Sequence, residues 1–403
     1  MNSLITAFAT AFVILQFVRI VVPALLTSYR ITRNRGQDRE HFQPKAAVIV
    51  PCKGSEPGLE DNIRAFLNQE YLDYSLVFVT ESSNDAAYAI TERIISQSSR
   101  PARLIVGGLA KECGQKAHNL CAAVHAVEQD ADILVFADSD AHPRSSWLAD
   151  LCAPLLDPAV GATTGYRWHI PIASNFWSVL LASWNAQGLV MLHERSLFAW
   201  GGSMAVRTED FRRLGIERIW QTSLSDDLSL SKAIRGSGLR ITFVPQCLVA
   251  THADLDMRQV LEFTTRQISM TRLYLRDMWW QVVAAHSLYT GVFWGGLAVA
   301  VSEMTSATFD GRLIILLAAI MALSACHLWS RLTLATYCLP EVYSASLIRT
   351  RLAFVSTAPL VTLVYLYNIV ASCMTRRITW RGIVYDVVSP NEIRVTRPSN
   401  PAE

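Results

Sequence analysis

The stretch Ile133-Leu134-Val135-Phe136-Ala137-Asp138-Ser139-Asp140 sets five consecutive apolar residues directly before two carboxylates. An unbroken apolar run of this length suits a strand covered on both faces, as in a parallel sheet with helices on either side. Three runs of the same kind lie upstream, at 46–50 before Pro51, at 75–80, and at 103–106 before Gly107-Gly108. Helix-patterned stretches fall after them at 59–68, 86–97 and 115–128. Strands alternating with helices predict an α/β domain with a mainly parallel sheet, whose ligands bind at the carboxyl ends of the strands. Polar residues that directly follow a strand are therefore the candidates for chemistry.

Asp138 and Asp140 are placed in that way. Two carboxylates two residues apart can offer oxygen ligands to a hard divalent cation, Mg2+ or Mn2+, which can bridge the phosphate oxygens of a nucleotide. The competing reading is an Asx turn that caps the following helix near 144–151. Asp85 follows the second strand after Glu81-Ser82-Ser83-Asn84, and Asp226-Asp227 precedes a periodic apolar stretch. The latter pair can either cap that helix at its positive end or supply a general base. Spacing alone does not separate the two.

Composition adds a membrane. Of 403 residues, 51% are hydrophobic and 17% charged, against about 25% charged in soluble domains. Apolar windows at 4–26, 282–304, 313–329 and 353–374 match spans of about 19 residues. The first could also be a secretory signal, but it lacks a basic leading region and is longer than a signal core. Arg30, Arg33 and Arg35 follow it, which by the positive-inside rule puts the globular segment in the cytosol, beneath a bacterial inner membrane or an ER or Golgi membrane. Three later spans would then carry the tail to the other side, although it bears Arg376, Arg377 and Arg381. A re-entrant apolar segment, or a contribution from 334–352, would remove that conflict. The chain divides into an N-terminal span (1–29), a cytosolic domain (30–256), an amphipathic interfacial helix (257–281), transmembrane helices (282–375) and a tail (376–403) that reads as frayed after Ser389.

A net charge of +2 lacks the dense basic surface that nucleic acid requires and excludes that partner. The eight cysteines show no CxxC spacing and read as thiols of a reducing compartment. The apolar windows lack the acidic pairs and broken repeats of a coupled transporter.

The ordered series Pro51-Cys52-Lys53-Gly54, Asn84-Asp85, Gln115-Lys116-Ala117-His118-Asn119-Leu120, Asp138-Ser139-Asp140, Gly201-Gly202-Ser203-Met204-Ala205-Val206-Arg207 and Ser225-Asp226-Asp227-Leu228 resembles family 2-like membrane glycosyltransferases. Within them it is most similar to the ceramide glucosyltransferases and their bacterial relatives, grouped as family 21. The resemblance runs from about Lys45 to Arg276 and implies a GT-A fold, an inverting mechanism, a UDP-sugar donor, a membrane-lipid acceptor and a divalent metal ion. It implies Pro51, Lys53, Gly54, Asp85, Lys116 and Asp138 as the donor site, and Asp138 with Asp140 as the metal and diphosphate holders. It implies Asp227 as the base, assisted by Asp226, and Gly201, Gly202 and Ser203 as the lining of the sugar and acceptor site. His193, His252 and Trp200 could reach the same place.

One family motif is incomplete. A Gln/Arg-x-x-Arg-Trp signature is expected on the helix that enters the membrane, and here the sequence reads Arg266-Gln267-Ile268-Ser269-Met270. Arg272 is a substitute by proximity, yet on a helix it projects about 120° from Arg266. The loss counts against processive polymer synthesis.

Overall fold

The computed structural model describes residue 7 and residues 10–14, 42–127, 129–172, 175–189, 192, 195–304 and 311–397. Most of the first apolar window, Arg30, Arg33, Arg35, His193 and the 305–310 connection lie outside them.

The four expected strands form as β1 (Ala46–Pro51), β2 (Tyr74–Thr80), β3 (Ala102–Val106) and β4 (Ile133–Ala137), joined by helices α1 (Leu59–Leu67), α2 (Ala86–Ile95) and α3 (Gln115–His125). They continue into β5 (Val160–Pro171), helix α4 (Phe176–Gly188), β6 (Ser203–Arg207), helix α5 (Asp226–Gly236) and β7 (Arg240–Ala253). One seven-stranded sheet results, in the order β3-β2-β1-β4-β6-β5-β7. It is mainly parallel, and β6 alone runs against both of its neighbours. The unbroken apolar runs are explained by two cores. Ala46, Val48, Val50, Val135 and Ala137 pack on one face of the sheet, while Ala47, Ile49, Leu134 and Phe136 pack on the other.

Helix α6 (Met257–Tyr274) opens with a capping box between Asp256 and Gln259, which satisfies two orphan backbone donors at once. It ends at Tyr274, with Leu275 as its C-cap, short of the expected 281, and residues 276–281 already belong to the next helix. The helix is anchored as well as amphipathic, since Asn368 Nδ2 donates to Thr264 Oγ1 and to Thr265 Oγ1, each at 3.0 Å. Helices α7 (Arg276–Glu303) and α8 (Arg312–Cys338) are long and apolar enough to cross a membrane. In each, 22% of the apolar window is buried inside the molecule, so most of it faces outward, as a lipid-facing surface does. Helices α9 (Ser344–Ser356) and α10 (Ala358–Met374) are apolar too, but the segment through α9 and α10 bends by 72°. Membrane association therefore rests on two to three apolar helices.

The tail corrects an expectation. From Ser389 to residue 397 it is ordered: strands β8 (Arg377–Trp380), β9 (Ile383–Ser389) and β10 (Glu392–Thr396) pair into an antiparallel sheet. That sheet docks on the α/β domain. Gln115 N donates to Tyr385 Oη at 3.2 Å, Arg381 donates to the Lys53 carbonyl at 2.9 Å, and Arg397 pairs with Glu81 at 3.6 Å. The chain before α7 and the chain after α10 are thus in contact.

Candidate active site

At the end of β4 the Asp138 carboxylate lies between two cations. Lys116 Nζ, from the first turn of α3, is 2.7 Å from Oδ1, and Arg167, from β5, donates to Oδ2 at 3.1 Å. Burial alone would raise the Asp138 pKa, but Lys116 and Arg167 together hold it below the usual carboxylate range. Its side chain is thus committed to the site, and does not cap the following helix. The same Lys116 ammonium stands 3.1 Å from Asp226 Oδ2. Burial opposes the lysine's charge, yet Asp138, Asp226 and Asp227 hold its pKa above the ordinary range.

Asp226 and Asp227 open α5 behind Ser225, whose hydroxyl caps the helix by accepting from Leu228 N. Their roles divide by direction. Asp226 is 2% exposed, and burial, with Asp227 and Asp138 nearby, pushes its pKa up to about 6 despite Lys116. Asp227 is half-buried and held by three donors: Ser225 Oγ at 2.6 Å, Leu228 N at 2.7 Å and Gly201 N at 3.1 Å. The cap of this helix is thus Ser225 rather than either aspartate, and both carboxylates line one cavity.

The glycines before β6 are there for close approach. A Cβ on Gly201 would stand 2.5 Å from Asp226 Oδ2, and one on Gly202 would stand 2.6 Å from Asp138 Oδ2. Only a residue without a Cβ leaves room for both acids.

Other expected residues divide. Pro51 and Lys53 line a cavity of about 300 Å³ with Lys116, Asp138, Asp140 and Arg266. Gly54 N donates to Asp85 Oδ1 at 2.7 Å, and the same oxygen caps α2 at Ala87 N, so Asp85 fixes the loop that forms one wall of that cavity. Ser203 is fully buried, donating to Cys247 O and accepting from Trp147 Nε1, and it supports the site from behind. Arg272 is not brought to either cavity: its guanidinium approaches Thr375 O at 3.5 Å. His252 packs against Tyr343, whereas Trp200 does reach the site.

A second cavity, of about 280 Å³, begins at Lys116, Asp138, Asp226 and Asp227 and continues between the apolar helices to Ala285, His286, Thr362 and Tyr365. Arg167 joins the two cavities, with its guanidinium 5.0 Å from the Trp200 ring and 5.7 Å from that of Phe263. Sequence reasoning missed Arg167. Its one signal is that it is the single Lys or Arg in β5.

Among the described residues no cluster of three or more His, Cys, Asp or Glu side chains is arranged to hold a metal ion. Asp140 Oδ1 is nevertheless shielded and without a hydrogen-bond partner, next to Asp138. Two carboxylates fit a hard cation whose remaining ligands are phosphate oxygens and water, the usual habit of Mg2+.

The sequence pattern of glycosyl transferase family 21 matches residues 8–393. Ceramide glucosyltransferase 3 of Caenorhabditis elegans is 22% identical over 156 residues, 38% of this chain and 33% of that protein, so the chain spans about a third of that relative's length. A mannosyltransferase from Pyrobaculum calidifontis, solved with GDP-Man and Mn2+, is 18% identical over 92% of this chain and 99% of its own, with a TM-score of 0.49. Glucosyl-3-phosphoglycerate synthase of Mycobacterium tuberculosis, solved with Mn2+ and UDP-glucose, is 16% identical over 59% of this chain and 83% of its own, with a TM-score of 0.40.

Proposed function

The chain belongs to glycosyl transferase family 21, and on that footing we propose that it transfers a single hexose, glucose from UDP-glucose, with inversion, to the hydroxyl headgroup of a membrane lipid such as ceramide. The observation that carries the lipid acceptor is the cavity that starts at the catalytic carboxylates and runs on between the apolar helices. A lipid whose chains stay among α7, α8 and α10 can present its hydroxyl to Asp227 without leaving the bilayer.

In this reading Asp227 takes the proton of the acceptor hydroxyl as its oxygen attacks the anomeric carbon. The bond from that carbon to the diphosphate breaks, and its electron pair leaves with UDP. Ser225, Leu228 and Gly201 hold the Asp227 carboxylate in place, which is the pre-organisation such a step needs. Asp226 keeps Lys116 between the two acids, where its ammonium meets the donor phosphates. Asp138 and Asp140 would hold Mg2+ or Mn2+ together with the diphosphate, and the ion would neutralise charge on the leaving group. The catalytic domain and tail face the cytosol.

Membranes containing the protein, incubated with radiolabelled UDP-sugars and Mn2+ or Mg2+ and then extracted into organic solvent, test the proposal. A lipid carrying one labelled sugar supports it, with lipid fractions separating ceramide from diacylglycerol, hopanoid or polyprenyl phosphate acceptors. Label in a water-soluble polymer, or nucleotide binding with no transfer, defeats it. Asp227→Asn is expected to abolish transfer and leave UDP affinity nearly intact; equal loss of both would remove Asp227 from the role of base.

A further inference from the structure

Trp380 and Arg381, from the tail, both line the cavity beside Asp138 and Asp140. Trp380 pairs with Ile383 across the β8–β9 hairpin, leaving Arg381 and Gly382 as the two central residues of the turn, at φ 50° and 78°. Two positive φ values make a turn that ordinarily selects Asn-Gly or Gly-Gly, and an arginine is strained there. Among the described residues Arg381 is the one non-glycine with positive φ. What the strained position gains is reach: the Arg381 guanidinium donates to the Lys53 carbonyl at 2.9 Å and pairs with Glu56.

Trp380 ends a series in which rings and guanidiniums alternate. Arg167 lies between Trp200 and Phe263, and Arg266 lies 5.2 Å from the Phe263 ring and 5.5 Å from that of Trp380. Unlike Arg167, Arg266 has no carboxylate partner among the described residues. Burial, with Arg167 and Arg381 nearby, pushes its pKa down to about 10. A guanidinium held between ring faces keeps its N–H edge for an anion.

We propose that the C-terminal hairpin is a working wall of the donor site: Trp380 fixes the Arg266 guanidinium so that its N–H edge meets the diphosphate of the nucleotide sugar, and Arg381 brings a second guanidinium to the same phosphates. The proposal rests on the glycosyl-transfer reading above. Trp380 is a positioning residue, and Arg266 and Arg381 are the groups that bind. Helix α6 carries Ser269 and Met270 where an Arg-Trp pair is expected, and the hairpin supplies a ring and a guanidinium from elsewhere in the chain.

Titration calorimetry of UDP with Mn2+ into the full-length protein in detergent, paired with thermal unfolding, tests this. Arg381→Asn relieves the turn but also removes the Glu56 pair, so its unfolding temperature is expected to stay within a few degrees of wild type while UDP binding weakens roughly tenfold. Trp380→Ala is expected to weaken binding by a similar factor, with Trp380→Phe recovering most of it. Asp386→Asn, which breaks an exposed ion pair with Arg377 on the same tail, is expected to leave binding unchanged. Wild-type UDP affinity in both Arg381→Asn and Trp380→Ala overturns the hairpin's role and leaves the enzyme reading standing. A wild-type protein that binds no UDP overturns both.

Discussion

Lys116 Nζ stands 3.1 Å from Asp226 Oδ2, and the contact ties the start of α5 to the end of β4, because the same ammonium is 2.7 Å from Asp138. Removing one member of a buried ion cluster leaves the others charged and unpaired, at a cost of about 3–5 kcal/mol. Lys116→Met is therefore expected to lower stability by that order in denaturant unfolding, and Asp226→Asn added to it is expected to restore part of the loss. Equal stability of wild type and Lys116→Met would mean that the ammonium is not the link.

Asp226 also sets a pH dependence whose sign is opposite to that of an ordinary paired carboxylate. Its folded pKa of about 6 lies above the ordinary 3.8, so between these values the folded protein holds a proton that the unfolded chain has lost. Stability through this group is fully present below about pH 4, falls as pH rises toward 6, and is level above. Asp226→Asn mimics the protonated form and is expected to remove that fall. Thermal unfolding of both proteins from pH 4 to 8 checks it; parallel curves would show that Asp226 titrates normally.

Gly202 tests the geometry from the backbone side. A Cβ there would stand 2.6 Å from Asp138 Oδ2 and 2.2 Å from the Trp200 ring, so either the acid or the ring has to move. Displacement of about 1 Å at a reacting centre costs about a hundredfold in rate. Gly202→Ala is expected to lose transfer on that scale while remaining folded. Gly236→Ala, which meets nothing within 4 Å, is expected to leave both activity and stability intact.

How much of this was legible from sequence follows from how local each signal is. Strand β4 and its two carboxylates announce themselves within eight residues, because a doubly covered strand must be apolar throughout and must then stop at something polar. The pair at the start of α5 was visible for the same reason, but its division of labour was not. Whether Asp226 or Asp227 is the buried one depends on where α3 brings Lys116. Trp380 and Arg381 carried no local signal at all, and Arg167 only its charge inside a strand. They reach the site through strand pairing and through a tail that returns across the apolar helices, and neither leaves a period in the sequence. The same return is hidden from a hydropathy average, which does not register the α9–α10 bend of 72°.

The cavity between the apolar helices gives the sharpest test of what the acceptor is. Ala285 lines it on α7, and Ala284 is exposed on the same helix, outside the cavity. Ala285→Trp adds a large ring inside the passage, whereas Ala284→Trp adds the same ring outside it, so helix propensity and hydrophobicity are matched between the two. If the acceptor is a lipid that enters along these helices, Ala285→Trp raises its KM by tenfold or more, an energetic effect of about 1.4 kcal/mol, and leaves UDP binding with Mn2+ unchanged. Ala284→Trp then behaves as wild type. An acceptor that arrives from water would not meet the added ring, and both variants would keep wild-type kinetics. That result would detach the apolar cavity from the reaction proposed for Asp226, Asp227 and Lys116 at its mouth.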